Sequence, residues 1–171
     1  EIGRVLQTLN DKKLADNTLV IPTSDNGGEQ KIARNLPLSG AKQMLSEGGI
    51  RVPLILRWPA MLPAGREFSM PISAMDLTAT IATAAGVKPA PTKLFDGVDL
   101  VPALNGKLEL GYNRPLFFRR RNVSVREGLN AIRQSAVRKG DWKYLRTYRP
   151  VGSGKYQAAL YNLKKDIGEK K

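Results

Sequence analysis

The stretch Thr18-Leu19-Val20-Ile21-Pro22-Thr23-Ser24-Asp25-Asn26-Gly27-Gly28 joins a short apolar run to a polar, glycine-rich loop. The apolar run, residues 18–21, lacks polar–apolar alternation, which is typical of a strand buried on both faces, as in a parallel sheet covered by helices. An amphipathic helix is predicted just before it, over residues 2–15, because four apolar residues recur there at helical spacing. A helix that leads into a buried strand is the pattern of an α/β fold.

The polar loop after this strand contains two candidate metal ligands, Asp25 and Asn26. Their side chains offer the hard oxygen atoms that Ca²⁺ and Mg²⁺ prefer, and in open α/β sheets ligands bind beyond the carboxyl ends of the strands. The same residues also fit a simple turn, since Asn-Gly is a common turn dipeptide. Two ligands are fewer than the six or more that Ca²⁺ takes, so a metal site here needs further ligands from elsewhere.

Further strands and helices of an α/β fold are predicted downstream of the polar loop. A second buried strand is predicted at Val52–Trp58, and a helix is predicted over residues 76–85, with Asp76 as its N-cap and Gly86 just beyond its end. A helical turn is expected at Leu100–Leu104. These elements continue the α/β part of the chain.

The last third of the chain changes to short strands separated by polar turns. The pattern predicts strands at residues 116–118, 131–137, 142–148 and 158–163, with Gly140-Asp141 as one of the turns. This indicates a small antiparallel sheet. The predicted organisation is therefore an α/β domain over residues 1–110 and a small basic antiparallel subdomain over residues 111–171, with the boundary near residues 105–114.

The net charge of +13 is unevenly placed. Residues 1–110 hold 12 Lys and Arg against 11 Asp and Glu, whereas residues 111–171 hold 16 against 4. Such a basic segment would favour nucleic acid, anionic lipid or an acidic or sulfated glycan, but a solvated basic surface, or one that meets an acidic surface elsewhere in the protein, is the simpler explanation. Trp142 and Tyr144 lie among basic residues and could stack on bases, but such aromatic residues more often pack on a helix while the lysines, Lys139 and Lys143, face water. No nucleic-acid partner is expected.

Several classes of function are excluded by composition. Cysteine is absent, which excludes disulfides, thiolate metal sites and a cysteine nucleophile. Histidine is absent as well, although it is the usual general base near neutral pH and the commonest metal ligand. No run of about 18 apolar residues occurs, so no transmembrane helix is expected. A complete hydrolase without either residue would be unusual, and the chain reads as one that begins within a longer protein.

Two more motifs lie downstream of the polar loop. Lys42 follows a Gly-Ala pair and is most simply a surface lysine, but beside a metal it could hold an anionic ester oxygen and offset charge in a transition state. The stretch Glu47–Pro53 is predicted to be a structural turn that enters the second strand, with Glu47 and Arg51 close enough in sequence to pair.

The order of these motifs resembles the sulfatase family. The resemblance rests on Thr-Ser-Asp-Asn-Gly-Gly at residues 23–28, Pro-Leu-Ser-Gly-Ala-Lys at 37–42 and Glu-Gly-Gly-Ile-Arg-Val-Pro-Leu-Ile-Leu-Arg-Trp-Pro at 47–59. Further matches follow at residues 75–77, 96–100, 138–144 and 160–163, so the resemblance covers nearly the whole chain. It implies the C-terminal portion of an alkaline-phosphatase-like α/β fold with a smaller antiparallel sheet, and hydrolysis of sulfate esters with a calcium ion.

The resemblance also implies roles for individual residues. Asp25 and Asn26 match a pair of the family's calcium ligands, and Lys42 matches its sulfate-contacting lysine. The family's nucleophile is a formylglycine made within a Cys/Ser-x-Pro-x-Arg motif, and the nearest string here, Ser69–Ser73, lacks the arginine. The formylglycine and the remaining calcium ligands are therefore expected in a missing N-terminal part of the same protein, and the isolated chain is expected to be inactive.

The implied substrate is a sulfated small molecule or glycan, and the implied location is periplasmic or secreted. Two alternatives remain open: a non-catalytic remnant that binds anionic glycans through its basic end, and part of a related phosphoesterase.

Overall fold

A computed structural model describes residues 1–87, 95–111, 113–121, 133–148 and 154–170. The chain forms two compact units that alternate along the sequence. The first unit comprises Glu1–Thr23 and Leu54–Tyr112, and the second comprises Ser24–Pro53 and Asn113–Lys171. The domain division at residues 1–110 and 111–171 stays a prediction, to which the units add that residues 24–53 pack with the C-terminal third.

The first unit begins with helix α1, Ile2–Asp11, followed by a 3₁₀ turn at Ala15–Asn17. The helix predicted over residues 2–15 is confirmed, but it ends earlier because Lys13 takes a positive φ of 57°. The indole nitrogen of Trp58 donates a hydrogen bond of 3.0 Å to the carbonyl of Asp16, which fixes the turn that follows the helix.

The two predicted buried strands of the first part pair with each other only locally. Isolated antiparallel bridges join Val20 to Arg57 and Thr23 to Leu54. The expectation that residues 18–21 and Val52–Trp58 are fully buried strands is wrong for this structure, in which residues 18–21 are partly exposed. Pro22 and Pro53 lie within or beside the paired segments and cannot donate a ladder hydrogen bond, so the pairing stays short.

Helix α3, Ala74–Ala84, has well-defined ends; the one-turn helix α2, Glu47–Ile50, precedes it in the sequence and lies in the second unit. The backbone N–H of Ser73 donates to the Asp76 carboxylate at 2.8 Å. Ser73 is thus the N-cap and Asp76 occupies the third helical position, which corrects the prediction of Asp76 as N-cap. At the other end Gly86 is confirmed as the residue beyond the helix, with φ of +76°, and its N–H and that of Val87 bond back into the last turn.

A small apolar core in the first unit surrounds Leu100, which is completely buried. The predicted helical turn is confirmed as α4, Val101–Leu104. The buried Asp76 carboxylate also accepts the N–H of Val98 at 3.0 Å, and the Thr80 hydroxyl accepts the N–H of Leu100 at 2.9 Å. These bonds anchor the 96–100 loop on α3, because buried polar groups that are hydrogen-bonded avoid the cost of desolvation.

The second unit contains helix α2, Glu47–Ile50, and a four-stranded antiparallel sheet. Its strands, in spatial order, are β1 Leu116–Arg121, β2 Arg133–Lys139, β3 Trp142–Tyr148 and β4 Tyr156–Asn162. The predicted antiparallel sheet is confirmed, although residues 131–132 of the second predicted strand lie outside the described residues. The predicted Gly140-Asp141 turn is also confirmed: it closes the β2–β3 hairpin, with Gly140 at φ +58°.

The two faces of this sheet differ. The face that carries Leu116, Ala136 and Lys143 is buried within the second unit, whereas Phe117 and Trp142 on the opposite face are 72% and 51% exposed. The interpretation that the aromatic residues pack while Lys143 faces water is therefore wrong at these positions. Side chains alternate along a strand, so burying Lys143 leaves its neighbour Trp142 on the open face.

Among the described residues, no helix is both long and apolar enough to cross a membrane.

Candidate functional site

The loop that holds Asp25 and Asn26 is the first part of the second unit. The Asp25 side chain is exposed and that of Asn26 is partly buried. The hydroxyl of Ser24 donates to the carbonyl of Asn26 at 2.8 Å and tightens the loop. The predicted turn and the predicted ligand pair are thus compatible, because the turn leaves the Asp25 carboxylate open to solvent.

A backbone framework built around Gly27 fixes the position of this loop. The N–H of Gly27 donates to the carbonyl of Gly49 at 2.9 Å. A Cβ at Gly27 would lie only 1.8 Å from the Gly48 carbonyl oxygen, so no other residue fits here without moving the backbone. The segments that contain Gly27 and Gly48 touch through their main-chain atoms, and only glycine permits so close an approach.

Lys42 is joined to the same framework. Its backbone N–H donates to the carbonyl of Gly28 at 3.0 Å, two residues after Asn26, and its side chain is exposed. The Asn35 amide braces the contact: it donates to the carbonyls of Gly28 and Gly40, each at 3.1 Å. The structure therefore brings the loop of Asp25 and Asn26 together with the segment that carries Lys42.

A buried ionic cluster lies between helix α2 and the sheet. The ammonium of Lys143, with no exposed side-chain surface, lies 2.9 Å from a Glu47 carboxylate oxygen and 2.8 Å from one of Glu169, and both carboxylate side chains are only 2% exposed. Arg138 approaches the second Glu47 oxygen at 3.6 Å and Arg51 approaches it at 3.9 Å. The predicted Glu47–Arg51 proximity is confirmed, but it is the outermost contact of the cluster.

The sequence reasoning did not identify Lys143 and Glu169 as partners of Glu47. The two carboxylates are separated by 122 residues, and nothing in the local pattern around either one indicates the other. Only a weak signal for Lys143 was available in the sequence. Lys143 lies inside a strand, at a position that alternation places on the same face as the buried residues Leu116 and Ala136.

The open face of the sheet carries arginine and tyrosine side chains in contact. The guanidinium of Arg133 lies 5.2 Å from the ring of Tyr148, and that of Arg146 lies 4.7 Å from the ring of Tyr156. A hydrogen bond from Arg146 to the Tyr144 hydroxyl, 3.0 Å long, raises the pKa of Arg146 above its ordinary value. Part of the basic charge of the C-terminal third is thus held in order on one surface.

Two other observations concern the chemistry of the chain. Within the described ranges, no three His, Cys, Asp or Glu side chains come together in a way that could hold a metal ion. The string Ser69–Ser73 serves the core of the first unit, since Met70 and Ile72 pack around Leu100 and Ser73 caps α3. Its likeness to a nucleophile motif is thus explained by packing.

Comparison with known proteins gives consistent matches. The family model described as Sulfatase matches residues 1–87. The N-acetylgalactosamine-6-sulfatase of Sus scrofa is 41% identical over 128 residues, which are 71% of this chain and 24% of that protein. The steryl-sulfatase of Homo sapiens is 35% identical over 165 residues, which are 89% of this chain and 27% of that protein.

One solved structure is similar in fold to this chain over almost its entire length. The structure of Ps i-CgsB in complex with k-i-k-neocarrahexaose has a TM-score of 0.80 and 34% identity, covering 99% of this chain and 35% of the other. The chain therefore spans about a quarter of the length of the two curated relatives and about a third of this structural neighbour.

Proposed function

The chain belongs to the sulfatase family, and from this premise we propose that it supplies part of the active site of an enzyme that hydrolyses sulfate esters. The observation that carries the proposal is the hydrogen bond between the Lys42 N–H and the Gly28 carbonyl, which joins the candidate ligand loop to the candidate sulfate-binding lysine. Sulfuric ester hydrolysis needs concentrated positive charge where the sulfate oxygens lie, and this arrangement provides a place for it.

Asp25 and Asn26 are proposed as two of the ligands of a calcium ion. Their donor atoms, a carboxylate and an amide oxygen, fit a hard cation, and the exposure of Asp25 leaves its carboxylate accessible. The other ligands come, in this proposal, from parts of the protein outside these 171 residues. When bound, the ion would supply positive charge to the sulfate group.

Lys42 is proposed as the cation that contacts the sulfate. The exposed ammonium can reach an anionic oxygen while its backbone stays fixed to Gly28. Its charge would stabilise the negative charge that grows on the leaving and non-bridging oxygens in the transition state.

The nucleophile is proposed to be a formylglycine outside this chain, since neither cysteine nor a Ser-x-Pro-x-Arg string occurs here. The 171-residue chain on its own should therefore be inactive. A related phosphoesterase stays as an alternative that the same missing motif would decide.

The proposed substrate class is a sulfated glycan or a smaller sulfate ester. The neighbour Ps i-CgsB was solved with k-i-k-neocarrahexaose, and the names of both curated relatives refer to sulfate esters of a sugar or a sterol. A periplasmic or secreted location would suit such a substrate.

A kinetic comparison tests this proposal. The protein at its full encoded length should hydrolyse 4-nitrophenyl sulfate with Ca²⁺, and Lys42→Met should lower kcat about 10²–10³-fold, the usual loss for a group that stabilises transition-state charge. Lys31→Met is the matched control, because Lys31 is also exposed and belongs to the same unit. Turnover by the purified 171-residue chain, or equal activity of the two variants, would refute the proposal.

A second candidate function is binding of an anionic glycan without catalysis. The ordered arginines on the open sheet face favour it, because the guanidinium groups of Arg133 and Arg146 are held against tyrosine rings on one surface. Heparin chromatography tests it by comparing Arg133→Gln/Arg146→Gln with Arg4→Gln/Arg34→Gln, which changes the net charge equally. Earlier elution of the sheet-face variant alone supports specific binding, and equal elution contradicts it.

A further inference from the structure

The buried ionic cluster joins three segments of the second unit that lie far apart in the sequence. Glu47 begins α2, Lys143 lies in β3, and Glu169 lies in the segment after β4. Besides the two ammonium–carboxylate contacts, the backbone N–H of Glu47 donates to the Glu169 carboxylate at 2.7 Å. All three side chains are removed from solvent, so their charges interact strongly and their geometry is fixed by one another.

Helix α2 transmits this geometry to the candidate site. Gly48 and Gly49 follow Glu47 directly; the Gly48 N–H bonds to the Ser39 carbonyl at 2.7 Å, and the Gly49 carbonyl accepts the N–H of Gly27. Gly27 is adjacent to Asn26. The contact between Gly27 and Gly48 involves main-chain atoms at close approach, so the loop cannot keep its position if α2 rotates or shifts.

We propose that Glu47, Lys143 and Glu169 are positioning residues for the site formed by Asp25, Asn26 and Lys42. They act through α2, without contact to the substrate or the ion, by holding the Gly48-Gly49 backbone against the ligand loop. The role assigned to Asp25 and Asn26 rests on the proposed function, whereas the mechanical link from Lys143 to Gly27 does not. Groups that orient metal ligands in this way typically change metal affinity 10–100-fold when they are lost.

The test uses the protein at its full encoded length and compares Lys143→Met with Leu116→Ala. Leu116 is a buried residue of β1 on the same sheet face, where it pairs with Arg138, so its truncation weakens the sheet and leaves Glu47, Lys143 and Glu169 themselves unchanged. The first measurement is amide hydrogen exchange at Gly27 and Lys42, relative to the amides of α1. The second is the Ca²⁺ concentration that gives half-maximal hydrolysis of 4-nitrophenyl sulfate.

For Lys143→Met we expect exchange at Gly27 and Lys42 to accelerate about tenfold and the half-saturating Ca²⁺ concentration to rise about 10–100-fold. For Leu116→Ala we expect both values to stay near those of the parent protein. Should Lys143→Met fail to fold, Glu169→Gln replaces it, since the amide oxygen can still accept the Glu47 N–H while the charge is removed.

Two outcomes overturn the inference. One is equal exchange at Gly27 and Lys42 in the Lys143→Met and Leu116→Ala variants. The other is that Lys143→Met speeds exchange at Gly27 and Lys42 but leaves the Ca²⁺ requirement unchanged, although Asp25→Ala does change the Ca²⁺ requirement. If Asp25→Ala leaves the Ca²⁺ requirement unchanged, the proposed function fails by itself, and the exchange measurement still decides whether the cluster holds the loop.

Discussion

Replacement of Lys143 by methionine should strongly destabilise the second unit. The ammonium is fully buried and lies 2.9 Å and 2.8 Å from two carboxylates, which would both remain buried without their shared cation. Breaking a buried ion pair by removing one partner costs about 3–5 kcal/mol. Arg138, at 3.6 Å from Glu47, and the Glu47 N–H bond to Glu169 offset part of the loss, so we expect about 3 kcal/mol.

Urea unfolding followed by Trp142 fluorescence measures this change. A Trp58→Phe background removes the tryptophan of the first unit, so that the signal reports on the second unit alone. The matched control is Lys139→Met, which removes an exposed lysine from β2 and should change the free energy of unfolding by less than about 0.5 kcal/mol. If Lys143→Met is no more destabilising than Lys139→Met, the cluster does not hold the unit together and the reasoning from buried charge is wrong.

Three further predictions concern other parts of the structure. Gly27→Ala should lower the free energy of unfolding by about 1–3 kcal/mol, because the added Cβ would meet backbone atoms. Gly3→Ala, in the open first turn of α1, should instead raise the free energy of unfolding by about 0.5–1 kcal/mol. Calorimetric melting compares the two variants, and equal effects would contradict the close approach at Gly27. Asp76→Ala removes a buried carboxylate that accepts two backbone N–H groups and should lower the free energy of unfolding, measured in urea, by about 2–3 kcal/mol. The control Asp96→Ala, at an exposed residue, should leave the free energy of unfolding nearly unchanged. An unchanged stability of Asp76→Ala would show that the two N–H groups find other partners. Burial, assisted by nearby carboxylates, raises the pKa of Tyr161 above 10.0. The folded state therefore holds the phenolic proton more tightly than the unfolded state, and the stability of the protein falls as the pH rises through and above that value. Tyr161→Phe should flatten this fall in the urea midpoint between about pH 9 and pH 11, and an unchanged slope would refute the assignment.

Local patterns were sufficient where local forces decide the structure. The four strands of the second unit were predicted from short apolar runs and polar turns, and the position of Gly86 was predicted because a helix end there requires a positive φ. The helix start was misplaced by three residues at Asp76, since Ser73 and Asp76 are both good capping residues and only the geometry distinguishes their roles.

Long-range contacts were beyond the reach of the same patterns. A lysine in a strand is usually exposed to solvent, and the burial of Lys143 depends on two distant carboxylates, those of Glu47, 96 residues earlier, and of Glu169. Asp25, Asn26 and Lys42 were singled out by their residue types and their place in the sequence, the family resemblance gave them specific roles, and those roles stay predictions. The hydrogen bond from Lys42 to Gly28 joins two loops whose approach depends on glycines, and no periodic pattern encodes such an approach.

The alternation of the two units along the chain has a consequence for biosynthesis. The ligand loop leaves the ribosome before Glu169, which completes the cluster around α2 and follows Glu47 by 122 residues. At translation rates of about 5–20 residues per second, this interval lasts roughly 6–24 s. During this interval the glycine-rich segment, residues 24–53, lacks the completed ionic cluster. The same segment also separates the two parts of the first unit, which end at residue 23 and resume at residue 54. Residues 24–53 therefore lack their completed ionic cluster until Glu169 is made, which marks them as the segment on which a chaperone or a misfolding event would act.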